Sequence, residues 1–327
     1  MLVPKPTLKD SNMTVAARLR RLSSTVAGLA LGAALTVAAV SVPVQAVADV
    51  ESTPAAVAAP TGEPALWVIR DADSTLYLFG TVHVLRPTTE WRSAKVDAAF
   101  DSATDIWFEI SNPDDQAALV PLIQQHGISP QTPLSSLLSP EEFVELDRAA
   151  RSIGASGQQM DVFRPWFAGL TLSMAPLIKA GYDPQSGVEL VLKARAGAAG
   201  KSIKGLETID KQIRILAELP EDIQLEFLRS TLGEIDNAAT ELDAMVAAWA
   251  SGDVEGLDAV GVAPMKAEAP HVHEVLLVRR NTDWADQIQT ILNGSGVGFI
   301  AVGAAHLAGE DSVQAILARR GVVAERQ

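Results

Sequence analysis

Two apolar runs near opposite ends of the chain each finish in a glycine with a histidine three residues on. "STLYLFGTVHV" places Gly80 ahead of His83, and "VGFIAVGAAHLAG" places Gly303 ahead of His306. Runs rich in β-branched and aromatic residues read as strands. A glycine at a strand end lets the backbone turn or lets another group approach closely. The histidine then falls where α/β sheets bind ligands, in the crevice at the carboxyl ends of the strands. There it can ligate a metal or move a proton near neutral pH. The chain has five histidines, and two occupy this one context. A single Gly-x-x-His reads as a histidine held by loop backbone; the pair points to function.

Acids fall at further strand ends. "ATDIWFEIS", residues 103 to 111, closes on Glu109 between Phe108 and Ile110, and "KSIKGLET", residues 201 to 208, closes on Glu207. A carboxylate in a strand suited to burial is costly unless it is paired or liganded. Four strand ends would thus bring His83, His306, Glu109 and Glu207 to one crevice. Imidazoles with carboxylates suit a divalent cation such as Mn, Co or Zn, which would turn bound water into a nucleophile; a free carboxylate would serve as the base.

The remaining elements set the frame. "ALWVIRD" and "STLYLFGTVHV" form a hairpin around Asp71–Ser74, "GVGFIAVGAAHLAG" is apolar enough to be central, and "GVVAERQ" reads as a last edge strand. Helical patterns start at Pro140 and Pro165, follow in "SGVELVLKARAGAAG", run from 208 to 250 with an interruption at Pro220, and return in "EVLLVRRNTDWADQIQTILNG" with a break at Asn281-Thr282. "EDSVQAILARRG" closes as an amphipathic helix stopped by Gly321, since glycine accepts the left-handed conformation of such a stop. The expected fold is α+β (α/β-like), one domain over 64–327, with a central mixed β-sheet flanked by helices and a largely helical middle insertion.

Composition narrows the function. Hydrophobic residues make up 48% of 327, and the net charge is −14 from 40 acidic and 26 basic residues. Bulk attraction to nucleic acid is therefore not expected. The chain has no cysteine, which removes disulfides, thiol nucleophiles and thiolate metal sites. Arg18, Arg20 and Arg21 precede a small-residue apolar stretch from Val26 to Val42, with A-x-A-like sites ending at Ala46 and Ala48. Positive start, apolar middle and small-residue end predict a signal peptide over 1–48. The alternative is an N-terminal anchor, which would be the chain's one link to a membrane. Residues 49–63, rich in Ala, Pro and Thr, read as a flexible linker. The expected location is periplasmic or secreted.

Taken in order, "LFGTVHV", "IWFEI", "AGYDPQSGVE", "KGLET", "LLVRRNTDW" and "FIAVGAAHLAGEDSV" resemble the TraB/GumN family, related to the Tiki proteases and more distantly to erythromycin esterase and ChaN-like proteins. The resemblance covers about residues 64 to 326. It implies a metal-dependent, peptidase-like hydrolase with paired Gly-x-x-His motifs: Gly80 and His83 match the first and Gly303 and His306 the second. Glu109 matches the essential glutamate, Glu207 the acid of the "GLE" motif, and Arg280 and Asn281 the "RN" motif. His83, His306 and Glu109 would hold a metal, while Glu109, Glu207, Arg280 and Asn281 would serve catalysis on a peptide or small acyl substrate. The Wnt substrate of the animal-cell Tiki proteins is not implied for a chain that looks exported.

Plainer readings stand beside these. Arg280 would clamp a carboxylate or simply pair with one. Asp183 is expected to cap the "PQSGVELVLKAR" helix, with Glu189 facing crevice or solvent. His271 and His273, two apart on a helix, do not share a face and read as surface residues. Two other function classes remain: a non-catalytic module binding metal, haem or peptide, and a metal-free esterase-like hydrolase with a histidine as general base.

Overall fold

The computed structural model describes residues 62–327. The expected signal segment and nearly all of the linker lie outside these residues. Six strands form one mixed sheet: β1 Leu66–Arg70, β2 Ser74–Thr81, β3 Asp105–Ile110, β4 Ser202–Glu207, β5 Gly296–Gly303 and β6 Glu325–Arg326, in the order β4-β3-β5-β2-β1-β6. β1 and β2 are an antiparallel hairpin whose turn is held by Asp71, with Oδ1 accepting from the Ser74 amide at 2.7 Å. The short β6 pairs antiparallel with β1. β2, β5, β3 and β4 run parallel. All four therefore end on the same side, and this is what creates a crevice at their carboxyl ends.

β5 is central because it is apolar on both faces, as a strand covered by helices on both sides must be. On one face the Phe79 and Phe299 rings lie tilted against each other at 5.8 Å, and Phe100 meets Phe299 edge-on at 5.4 Å. Phe100 belongs to α1 Ala94–Ser102. Also packed into this core are α2 Gln116–His126, part of α4 Pro165–Lys179, α5 Val188–Ala198, α6 Ile209–Ala217 and α8 Ala238–Ala250. On the other face Leu78, Ile300 and Val302 meet Trp284 and Ile288 of α9 Arg279–Leu292 and Ile316 of α10 Val313–Arg319. A satellite cluster joins α3 Pro140–Arg151, α4 and α7 Glu221–Glu234. The expected mixed sheet with a helical middle is thus the fold, built as one domain.

Three local expectations change. The break at Asn281-Thr282 is absent: α9 runs through it, and the irregularity is a π turn, Glu274–Val278, just upstream. A π turn inserts a residue into the helical register and is often found at functional sites; here it leads directly into Arg280. Asp183 caps only the short turn Pro184–Ser186, through a 2.8 Å bond from the Gln185 amide, and α5 begins after Gly187. His271 is exposed as expected, but His273 is buried and lies 4.0 Å from Asp311. None of the described helices is long and apolar enough to cross a membrane.

Candidate active site

Register sets the site. Thr81 pairs with Gly303 across β2 and β5, and Ile110 pairs with Glu207 across β3 and β4. The first motif, the second motif and both acids therefore reach the sheet end together. The two motif glycines serve close approach. Neither is among the glycines with positive φ. A Cβ on Gly80 would lie 3.1 Å from Ala304 Cα, in the second motif. A Cβ on Gly303 would lie 3.1 Å from Glu109 Oε1 and 3.3 Å from His83 Nε2, in the first motif. Each glycine makes room for the other motif. Trp249 of α8 fixes the first loop by donating from Nε1 to the Gly80 carbonyl at 2.8 Å.

Arg280 is the hub of a buried network, and all five of its guanidinium protons have acceptors. Nε donates to Glu207 at 3.0 Å; Nη2 donates to Glu109 Oε2 at 2.6 Å and to Glu207 Oε2 at 3.1 Å; Nη1 donates to the Leu276 carbonyl in the π turn at 3.2 Å and meets His306 Nε2 at 3.0 Å. A guanidinium has no lone pair to offer, so His306 Nε2 must be the acceptor. Its Nδ1 then carries the proton and donates to Asn281 Oδ1 at 2.5 Å, while Asn281 Nδ2 donates to the Asp311 carbonyl at 2.7 Å. Burial pushes His306 well below the ordinary imidazole value, and the Arg280 charge pushes the same way. His306 is neutral, with both ring nitrogens used, and its ring lies 4.3 Å from that of Trp284.

Glu109 accepts from the Gly303 amide at 2.8 Å and from Gln212 Nε2 at 3.0 Å. Burial would raise its pKa, but Arg280 foremost, then His306, His83 and the Gly303 amide, bring it down to about 2. Glu109 is a fixed carboxylate, with no proton to give near neutral pH.

His83 is arranged differently. Its Nδ1 lies 2.6 Å from Glu189 Oε1, and that oxygen also accepts from Thr81 Oγ1. Its Nε2 is buried without a hydrogen-bond partner, close to Glu109 and Gly303. Burial alone would lower the imidazole; the Glu189 charge and hydrogen bond, with Glu109 behind them, outweigh it and raise it. Backbone bonds dock the Glu189 segment on the His83 loop: Val188 N to Val82 O at 3.0 Å and Asp183 N to Leu85 O at 2.9 Å. His83, Glu109 and Glu189 line a narrow crevice with Phe108, Ile110, Pro113 and Lys193, and the free space in it is only about 10 Å³, room for roughly one water.

The structure brings together the residues singled out in the sequence: His83, His306, Glu109, Glu207, Arg280 and Asn281. They do not fit the metal set that the resemblance implies. His306 has no free nitrogen, and the cationic place between Glu109 and Glu207 is filled by a guanidinium. Among the described residues no group of three His, Asp or Glu side chains converges on a common metal position. Sequence reasoning left Glu189 without a role and overlooked Gln212. The signal was present: Glu189 shares the buried face of α5 with Leu192 and Ala196, and Gln212 shares that of α6 with Ile209 and Ile213. A polar side chain on an apolar helix face marks a partner inside.

Against known families, residues 65–326 match the model of the TraB/PrgY/gumN family, and the chain belongs to that family. It is similar to an uncharacterized protein of Treponema pallidum, 25% identical over 79% of this chain and 81% of that one. It is also similar to the uncharacterized protein YbaP of Escherichia coli K12, 24% identical over 78% and 92% of the two chains. No solved structure matches.

Proposed function

We propose that the protein is an exported hydrolase of peptide or other acyl bonds in which His83 is the general base. The observation that carries this reading is the asymmetry of the His83 ring: Nδ1 against a buried carboxylate, Nε2 buried and free. A carboxylate on one imidazole nitrogen fixes the ring and strengthens the other nitrogen as a base. In the proposed step, His83 Nε2 takes a proton from water in the crevice as that water attacks the acyl carbon. It then returns the proton to the leaving oxygen or nitrogen as the bond breaks. Glu109, held by Arg280 and the Gly303 amide, would stabilise the imidazolium that forms. Arg280, Glu207, His306 and Asn281 keep Glu109 in place.

The test is an ester and peptide library on purified protein, before and after exhaustive chelation. Hydrolysis that survives chelation and disappears in His83→Asn supports the reading. Activity that appears only when Mn, Co or Zn is returned, or that survives in His83→Asn, overturns it. Ligand binding with no turnover of any substrate would favour a binding module instead.

A further inference from the structure

The crevice carries one charged group that the proposed chemistry leaves unused. Lys193 lies one helical turn beyond Glu189 on α5, and residues four apart share a helix face; both line the crevice. The other charges there are answered internally, Glu109 by Arg280 and Glu189 by His83. Among the described residues Lys193 is answered only by Asp114, on the loop after β3, and the Asp114 side chain is 67% exposed against 22% for Lys193. A pair with so exposed a carboxylate is screened by solvent and contributes little to stability, so Asp114 is readily exchanged for another anion. Asp114 directly follows Pro113, which lines the crevice together with Lys193. The rest of the lining offered by Phe108, Ile110 and Pro113 is apolar.

Resting on the hydrolase reading, we propose that Lys193 selects substrates that carry a carboxylate next to the acyl group to be cleaved. The incoming carboxylate takes the place of Asp114 on Lys193 Nζ, and the release of Asp114 frees the 111–115 loop and opens the crevice. Recognition and entry are then one exchange of ion-pair partners. In a chain with a net charge of −14, a lysine in the crevice lining favours an anionic substrate there once Asp114 is displaced.

The experiment measures binding and turnover separately, on the full protein. Calorimetry with an N-acetyl dipeptide acid and its C-terminal amide should give at least about tenfold tighter binding of the acid. Lys193→Met should bring the acid down to the level of the amide, and Asp114→Asn should tighten the acid further by removing its competitor. Equal binding of acid and amide, or a preference that persists in Lys193→Met, overturns the proposal whether or not turnover is seen. Turnover dependent on His83 but indifferent to the carboxylate would remove Lys193 from specificity and leave the hydrolase reading standing. A carboxylate preference without turnover of any substrate would do the reverse.

Discussion

The two Gly-x-x-His motifs look interchangeable on paper and have opposite roles in the fold. Both histidines follow adjacent parallel strands, and both side chains are buried, His306 fully and His83 at 8% exposure. His306 has spent its two nitrogens, one on Arg280 and one on Asn281, and burial and Arg280 keep it neutral. His83 has one nitrogen in an ion pair with Glu189, and the other is buried with no partner. A strand end decides where a histidine sits; the partners brought by distant helices decide what it can do. α5 brings a carboxylate to the first histidine, whereas α9 brings a guanidinium to the second.

The comparison can be broken most sharply at His83. Replacement by Asn should lower kcat/KM on any hydrolysed substrate by about 10²–10⁴, the usual contribution of a positioned base, and leave the Arg280 network intact. Steady-state kinetics checks this. Next comes the hub. Arg280→Met leaves Glu109 and Glu207 buried together without their cation, and breaking a buried ion pair costs about 3–5 kcal/mol; urea denaturation should show a loss of that order. His306→Asn should cost less, about 1–3 kcal/mol, because it orphans hydrogen-bonding groups without removing a charge. A loss confined to activity would mean that His306 is chemical after all.

Smaller effects sharpen the contrast through pH. The raised pKa of His83 means that its pairing with Glu189 stabilises the fold fully below the ordinary imidazole value. That contribution is lost as pH rises through the folded value. The lowered pKa of His306 has the opposite sign: its contribution is present above the ordinary value and is lost as pH falls below it. The destabilisation caused by His83→Asn should therefore be larger at pH 5.5 than at pH 9, and that caused by His306→Asn larger at the alkaline end; denaturation midpoints across the range would show both. Glu109, brought down to about 2, should hold its contribution above the ordinary carboxylate value and lose it as pH falls toward about 2. Glu109→Gln should abolish that acid-side loss. In kinetics, Glu189→Gln should move the acid limb of kcat/KM to lower pH, since the carboxylate that raises His83 is gone.

The strands and their ends were legible because apolar runs, Gly-x-x-His spacing and acids inside buried strands are local patterns. The meeting of His83, Glu109, His306 and Glu207 followed from them. What was not legible lay in helix orientation. "RRN" shows an arginine beside an asparagine, but only the π turn at Glu274–Val278 and the seat of Trp284 against the sheet direct Arg280 between two carboxylates. With the guanidinium unplaced, two histidines and an acid read as metal ligands; once it is placed, one of those histidines is its acceptor. Asn281 read as a helix break because its amide was not known to bridge His306 and the Asp311 carbonyl.

The reciprocal fit of Gly80 against Ala304 and of Gly303 against Glu109 and His83 has a consequence for how such chains vary. An added methyl at either position displaces the other motif. The two glycines are thus a single mutational unit, although more than two hundred residues separate them in "STLYLFGTVHV" and "VGFIAVGAAHLAG". Once one of them is replaced and the sheet end has shifted, replacing the second should cost less than it would alone, so the double variant should lose less stability than the sum of the two single variants in a double-mutant cycle. Variation tolerated at one glycine is then expected only in sequences that have already changed at the other.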